Sequence, residues 1–174
     1  MTSSPPRPTA TRRTWLHRAF AAATAVTLPG MAHAAKAAAP GATAIEVWKD
    51  PGCGCCQDWV DHMQAHGFQA TVHDSGNAAV RTRLDLPQKL GSCHTALVGG
   101  YLVEGHVPAA DVQRLLRDKP QALGLAVPGM PVGSPGMDGA IYGGRRDPFE
   151  VLLVARNGST TVFSRHHQQP KAPA

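Results

Sequence analysis

The chain has 174 residues, enough for one domain once a targeting segment is set aside. Its formal charge is +5, but four of the 17 basic residues (Arg7, Arg12, Arg13, Arg18) lie in the first 34 positions, leaving 13 against 12 acidic residues. That near-neutral remainder has no basic stripe with interleaved aromatics, which argues against nucleic acid as a partner, and no stretch beyond the N-terminal segment is apolar enough to span a bilayer.

Residues 1–34 read as an export signal. "TRRTWLHR" is a basic n-region, "AFAAATAVTL" a short apolar stretch, and "AHA" at Ala32–Ala34 a small-x-small cleavage site. The mature chain then starts at Ala35 and resides in an oxidising compartment. "TRRTWLH" also resembles a twin-arginine signal, with Trp15 where that motif prefers Phe. An ordinary secretory signal containing two arginines is the alternative.

Residues 35–44 are a small-residue linker. "IEVWK", 45–49, alternates Ile45 and Val47 as a strand does, although Trp48 breaks the pattern. "DPGCG" is turn chemistry. From Cys56 the apolar positions Cys56, Trp59, Val60 and Met63 follow helical spacing, and Gly67 stops the helix. "FQATVHD", 68–74, is a second strand. "NAAVRTRL", 77–84, is a short helix with Asn77 as its N-cap. "TALVGGYLVEGHV", 95–107, is a hairpin around Gly99-Gly100, and "PAADVQRLLRD", 108–118, is a helix opened by Pro108. "GLAVPGMPVGSPGMDG", 124–139, is too rich in glycine and proline for a helix or a central strand. "FEVLLVARNGSTTVFS", 149–164, is a closing hairpin turning at Asn157-Gly158, and residues 165–174 form a polar, flexible tail.

Strand, helix, strand, helix, hairpin, helix is the element order of a thioredoxin-like fold. The expectation is an α/β domain over 45–164, a mixed sheet flanked by helices with a C-terminal β-hairpin. In such a fold the first strand delivers its loop to the N-terminus of the first helix, where unpaired N–H groups and the helix dipole favour a thiolate. The loop here is "CGCC", with Cys53, Cys55 and Cys56 set among Gly52 and Gly54. Cys93 follows 37 residues after Cys56. The same fold brings it, with His94, over that helix terminus.

Three readings of these cysteines stand side by side. Cys53 and Cys56 have the C-x-x-C spacing of a dithiol couple, although Cys55 would scramble a clean pair, and "SCHT" lacks the proline that thioredoxins place opposite. Three thiolates plus a fourth from another loop suit a soft ion, Cu(I) or Zn(II), and shared sulfur lone pairs allow more than one Cu(I). Inert burial is the third, disfavoured by the glycine-flanked turn. Met130 and Met137 lean toward copper, because thioether suits Cu(I) better than zinc; they also fit as gap-fillers under the loop. His106 is either an imidazole donor or a turn residue, and Cys93 and His94, as strand neighbours, point to opposite faces unless the loop relaxes that rule. His62 and His66 have chelating i, i+4 spacing but lie off the apolar face, as solvated surface histidines do. His73 ends a strand without a visible partner, and His166 and His167 read as exposed. Asp50 and Glu104 flank the site as candidates to tune it, and no acid/base pair with a hydrolytic pattern stands out. No phosphate loop, nucleophile elbow or dinucleotide fingerprint is present.

"VWKDPGCGCCQDWVDHMQAHGF", "LGSCHTALVGGYLVEGHVPAADVQRLL" and "GLAVPGMPVGSPGM" closely resemble the family of domain of unknown function 411, which includes CopG-type periplasmic copper-resistance proteins. The resemblance covers about residues 45–164. It implies a thioredoxin-like domain binding copper through the C-x-C-C cysteines as a multinuclear cluster. Its pattern falls on Cys53, Cys55, Cys56, Cys93, His94, His106, Met130 and Met137, and it is the resemblance that favours ligand roles for His106 and the methionines. It further implies copper handling with Cu(I)/Cu(II) interconversion, and a periplasmic efflux or redox partner. A thiol–disulfide oxidoreductase and a copper chaperone serving an efflux system are the competing functions. The twin-arginine-like signal and the "GGRRDP" insert, 143–148, look peculiar to this chain.

Overall fold

The structure, a computed structural model, describes residues 41–168. The segment read as an export signal, most of the segment read as a linker and the end of the segment read as a tail lie outside the described residues. The elements are β1 (Thr43–Lys49), α1 (Gly54–Ala65), β2 (Phe68–His73), α2 (Ala78–Arg83), β3 (His94–Val98), β4 (Tyr101–Glu104), α3 (Ala109–Asp118), β5 (Gly124–Ala126), β6 (Phe149–Val154) and β7 (Thr160–His166). Single 3-10 turns occupy Gln88–Leu90 and Ala140–Tyr142.

The strands form one seven-stranded sheet in the order β2-β1-β3-β4-β5-β6-β7. β1/β2 and β4/β5 are parallel pairs, each joined through a helix, and the other pairs are antiparallel. Parallel neighbours need such a crossover, whereas antiparallel ones close with a short turn. The architecture is the expected mixed sheet flanked by helices with a C-terminal hairpin, and its first four strands are compatible with a thioredoxin-like arrangement.

Side chains alternate across the strands, and the two faces carry separate cores. Ile45, Val47, Ala96, Val98, Val103, Leu125 and Val151 pack with Trp59, Val60 and Met63 of α1 and Val112 and Leu115 of α3. The intervening residues Leu102, Ala126 and Val154 pack on the other face under Leu86 and Leu90. The stripe Cys56, Trp59, Val60, Met63 is the buried face of α1, as its spacing requires.

Several expectations need correction. Residues 124–126 do form a central strand, between β4 and β5's other neighbour β6. It is only three residues long, and Gly124 is what admits it, because a side chain there would run into the Leu102 carbonyl. α1 starts at Gly54, two residues before the first apolar position. Asn77 stands at the N-cap of α2, yet its side chain makes no capping bond; its amide donates instead to the Ser92 carbonyl and the Thr95 hydroxyl. β7 runs through Arg165 and His166, two residues into the segment read as tail. His166 is half-buried, stacked on Phe149 with ring centroids 4.8 Å apart and bonded to the Asp111 carboxylate at 2.7 Å. His73 is stacked on Trp48, at 4.9 Å.

His62 is not merely a surface histidine. Its Nε2 accepts the Ala109 N–H at 3.2 Å, at the start of α3, which has no side-chain cap of its own. Burial, then the neighbouring His66, lowers its pKa below the ordinary 6.5, with Asp138 pulling the other way.

Gly124→Ala should cost about 1–3 kcal/mol by overpacking, seen as a lower denaturant midpoint at unchanged slope. The His62 cap gives a pH-dependent prediction. The unfolded state binds more protons than the folded one below the unfolded pKa of 6.5, so this contribution is complete above that value and lost as pH falls through the depressed folded pKa. The stability gap between the native chain and His62→Ala, about 1 kcal/mol for a lost cap, should therefore shrink between pH 8 and pH 5 in paired urea titrations; a gap independent of pH would contradict it.

Candidate metal centre

β1 ends at Lys49 and releases the turn Asp50–Gly52 into α1. The Cys53 N–H closes that turn onto the Asp50 carbonyl at 3.1 Å, and Cys53 takes the N-cap position with extended backbone. Cys53 and Cys56, one helical turn apart with Cα atoms separated by 5.3 Å, are joined as a disulfide. Cys55 stays a free thiol, its sulfur 3.7 Å from that of Cys53. Cys56 is fully buried, facing the Cys93 carbonyl.

Cys93 arrives from the far side of the sheet. Lys49 pairs with His94 across the antiparallel β1/β3 ladder, so the residue before β3 lands beside the cysteine loop. The sulfurs of Cys53, Cys55, Cys56 and Cys93 all lie within 4.8 Å of one another. Donor atoms of Cys93, His94 and His106 form a second group within the same span, so Cys93 is shared by both. Its sulfur is 3.1 Å from His106 Nε2 and 3.5 Å from His94 Nδ1. The loop thus relaxes strand alternation, and the two neighbours reach the site together.

His106 is oriented by the segment 127–139. Its Nδ1 lies 2.8 Å from the Pro135 carbonyl. A carbonyl only accepts, so Nδ1 carries the proton and Nε2 offers its lone pair toward Cys93. Gly136 then presses onto α1: a Cβ there would stand 2.5 Å from the Cys55 carbonyl and 2.8 Å from the Trp59 nitrogen, and its φ of +81° suits glycine. The glycine- and proline-rich segment is a roof on the first turn of α1.

His94 is 0% exposed, between the rings of Trp59 at 4.4 Å and His106 at 4.9 Å. Burial, then His106, holds its pKa well below the ordinary value; burial also lowers that of His106, against the pull of the Pro135 carbonyl and Asp138. Both imidazoles are neutral at neutral pH, the form that binds metal. Burial, with the Cys55 sulfur beside it, pushes the Cys93 thiol up to about 12. A cation arriving there would displace that proton. His94 Nε2 has no hydrogen-bond partner among the described residues. A buried, unpartnered nitrogen is costly; the ring's other nitrogen, Nδ1, is the one that faces Cys93 and is placed to join a soft or borderline metal ion there. The donor set, thiolate with neutral imidazole, fits such an ion.

The six cysteines and histidines proposed from sequence therefore converge. The methionines are placed differently. Met137 is buried in the roof, its sulfur accepting from the Tyr142 hydroxyl at 3.3 Å. Met130 is 52% exposed, next to Gly129, whose carbonyl accepts the Ser92 hydroxyl. Sequence reasoning missed the Pro135 carbonyl and the closeness of Gly136; the only signal was the glycine–proline density. It placed Glu104 beside the site as a tuning residue but did not find its partners. That carboxylate is wholly buried, accepts the Ser92 N–H at 2.7 Å and meets the Thr95 hydroxyl at 2.5 Å, with Arg81 at 3.5 Å. Burial raises its pKa to about 7, against the downward pull of Thr95, Ser92 and Arg81. A charged residue inside the apolar run "YLVEG" was its signal.

A family model described as "Protein of unknown function, DUF411" matches residues 90–137, the span from Leu90 before Cys93 to Met137 in the roof. Two solved structures, both named copper resistance protein CopG (form 1 and form 2), are 46% identical to the chain. Each match covers 72% of this chain and 98% of the other, with TM-scores of 0.66 and 0.67. The chain belongs to the DUF411 family. No curated protein matches it. The DUF411 match includes Cys93, His94 and His106 as well as the roof that orients His106, whereas the C-x-C-C loop lies outside it.

The roof contact gives a direct prediction. Gly136→Val has no room against the Cys55 carbonyl and the Trp59 nitrogen, so the roof must lift. In the reduced, metal-free protein Cys55 and Cys93 should alkylate several-fold faster than in the native chain. Unchanged labelling in a folded variant would show that the roof does not shield the sulfurs.

Proposed function

We propose that this chain is an exported copper-binding protein of copper resistance, held in the periplasm after cleavage near Ala34. The observation that carries the reading is the convergence of four cysteine sulfurs and two neutral, buried imidazoles under one roof. Thiolates of Cys53, Cys55, Cys56 and Cys93 with His94 and His106 would hold Cu(I), with Met137, and Met130 from its more exposed position, as thioether donors. Clustered thiolates can bridge metal ions, which supports a multinuclear site. A mixed sulfur–imidazole set tolerates both oxidation states of copper, which supports interconversion of Cu(I) and Cu(II). The names of the two CopG relatives support the copper assignment. An efflux or redox partner would take the product.

The Cys53–Cys56 disulfide favours a second reading, a thiol–disulfide oxidoreductase. Disulfide formation takes two of the six cysteine and histidine donors out of the metal set, and they return on two-electron reduction. The pair sits at a helix N-terminus, where a thiolate is favoured.

Cys55→Ser separates the two. Cys55 is outside the disulfide, so a C-x-x-C couple should survive the change, while a cluster bridged by Cys55 should lose copper. Elemental analysis of mature protein purified anaerobically, with a free-thiol count, should show at least one copper per native chain and substantially less in Cys55→Ser. Stripping the copper should expose thiols. Full stoichiometry in the variant would exclude the bridged cluster, and absence of copper with a reversible disulfide would establish the second reading.

A further inference from the structure

The donors Cys93, His94 and His106 come from two segments, the loop entering β3 and the turn leaving β4. Neither segment is held by the metal-site face alone. Ala96 and Val98 face α1 and α3, so by strand alternation His94 lies on that face and Thr95, with Leu97, on the opposite one. On β4, Val103 faces α1 and α3, while Leu102 packs with Leu86 and Leu90 on the opposite face, where Glu104 meets Arg81 of α2. Glu104 is thus behind the sheet relative to the site, and it spans both donor segments.

Its contacts bracket the donor pair. One carboxylate oxygen takes the Ser92 N–H, immediately before Cys93, and the other meets the Thr95 hydroxyl, immediately after His94. Asn77 and Arg81, from the start and body of α2, donate to the Ser92 carbonyl at 3.3 Å each, and Asn77 also reaches Thr95 at 3.2 Å. Arg81 completes the group as counter-ion to Glu104. On the far side of Glu104, Gly105 donates to the His94 carbonyl at 2.9 Å, and a Cβ at Gly105 would press on the Ser92 side chain. His106 follows directly. Both oxygens of Glu104 are engaged within this network, so it is not placed to be a ligand.

We propose that Glu104 is the positioning residue of the Cys93–His94–His106 donor set, bolting the Cys93 loop to the strand that leads into His106 from the opposite face of the sheet. Replacing a buried ion pair by apolar groups is often neutral for stability, so what Glu104 and Arg81 supply is geometry: the 3.1 Å approach of Cys93 Sγ to His106 Nε2. Outer contacts of this kind, when removed, commonly cost about 10–100-fold in metal affinity. The copper arm of the test rests on the function proposed above; the thiol arm does not.

Two quantities decide it. The first is Cu(I) affinity of the reduced mature protein, by anaerobic competition with a chromophoric Cu(I) chelator. The second is the alkylation rate of Cys93 in the metal-free reduced protein, by peptide mass spectrometry. Glu104→Ala and Thr95→Val should weaken Cu(I) binding at least about tenfold and speed Cys93 alkylation. Glu104→Gln, which keeps one acceptor oxygen for Ser92, should fall between them and the native chain. Val154→Ala, which opens the same apolar face two strands away, should change neither quantity. Native affinity and native labelling in folded Glu104→Ala and Thr95→Val would overturn the proposal and leave Glu104 a contributor to fold stability only. If Glu104→Ala does not fold, Thr95→Val and Glu104→Gln decide by the same readings. If the native chain takes up no Cu(I), the copper reading fails by itself. The labelling comparison still rules: faster Cys93 alkylation upholds the positioning role and unchanged alkylation refutes it.

Discussion

The antiparallel pairing of β1 with β3 is the constraint on which the site depends. β1 runs toward the cysteine loop and β3 runs away from Cys93, so their ladder, with Lys49 opposite His94, places both at one end of the sheet. The β3/β4 hairpin returns the chain to that same end, with Glu104 opposite Thr95, and His106 emerges there. Three chain segments distant in sequence meet because hydrogen-bond register leaves them nowhere else to go. α1 starts at this same end, so its first turn carries Cys55 and Cys56 there.

Groups that are costly to bury are then concentrated at this end. Two imidazoles and a carboxylate are fully buried, and the Cys93 thiol is half-buried, within a few residues of one another. Some of the groups at this end have partners within the protein. His106 has the Pro135 carbonyl, Glu104 has Ser92, Thr95 and Arg81, and Trp59 gives its indole N–H to the Val107 carbonyl. His94 Nε2 has no such partner among the described residues. Low polarity keeps a second proton off each of the two imidazoles, since protonation would place a charge there, while the same burial holds the proton on the Cys93 sulfur until a soft cation displaces it.

Much of this was legible residue by residue. The helical spacing from Cys56 to Met63 marks the buried face of α1, because a 3.6-residue period lets one stripe face the sheet. Gly99 and Gly100 in one hairpin and Gly158 in the other mark the turns through their positive φ. The cysteine cluster announces sulfur chemistry by composition alone. What failed did so for tertiary reasons. Residues 124–126 look unfit for a central strand, but the flanking strands supply every backbone partner, and a glycine lets them approach. Asn77 carries the composition of a cap, but a stronger use for its amide lay at Ser92 and Thr95. His62 and His166 look like solvated histidines until helices from elsewhere in the chain bring Ala109 and Asp111 to them.

The sequence by itself determined the local elements, the chemistry of the donors and the family resemblance, since periodicity, turn residues and side-chain type are properties of neighbours along the chain. The tertiary structure alone decided which donors share a space: that Cys93 belongs to both the thiol group and the imidazole group, that Cys53 and Cys56 pair while Cys55 stays free, and that Pro135 and Glu104 hold the imidazole and the loop from opposite sides. Those facts depend on strand register and on contacts between residues dozens of positions apart, where small displacements separate a hydrogen bond from no interaction, and no local pattern encodes distances of that kind.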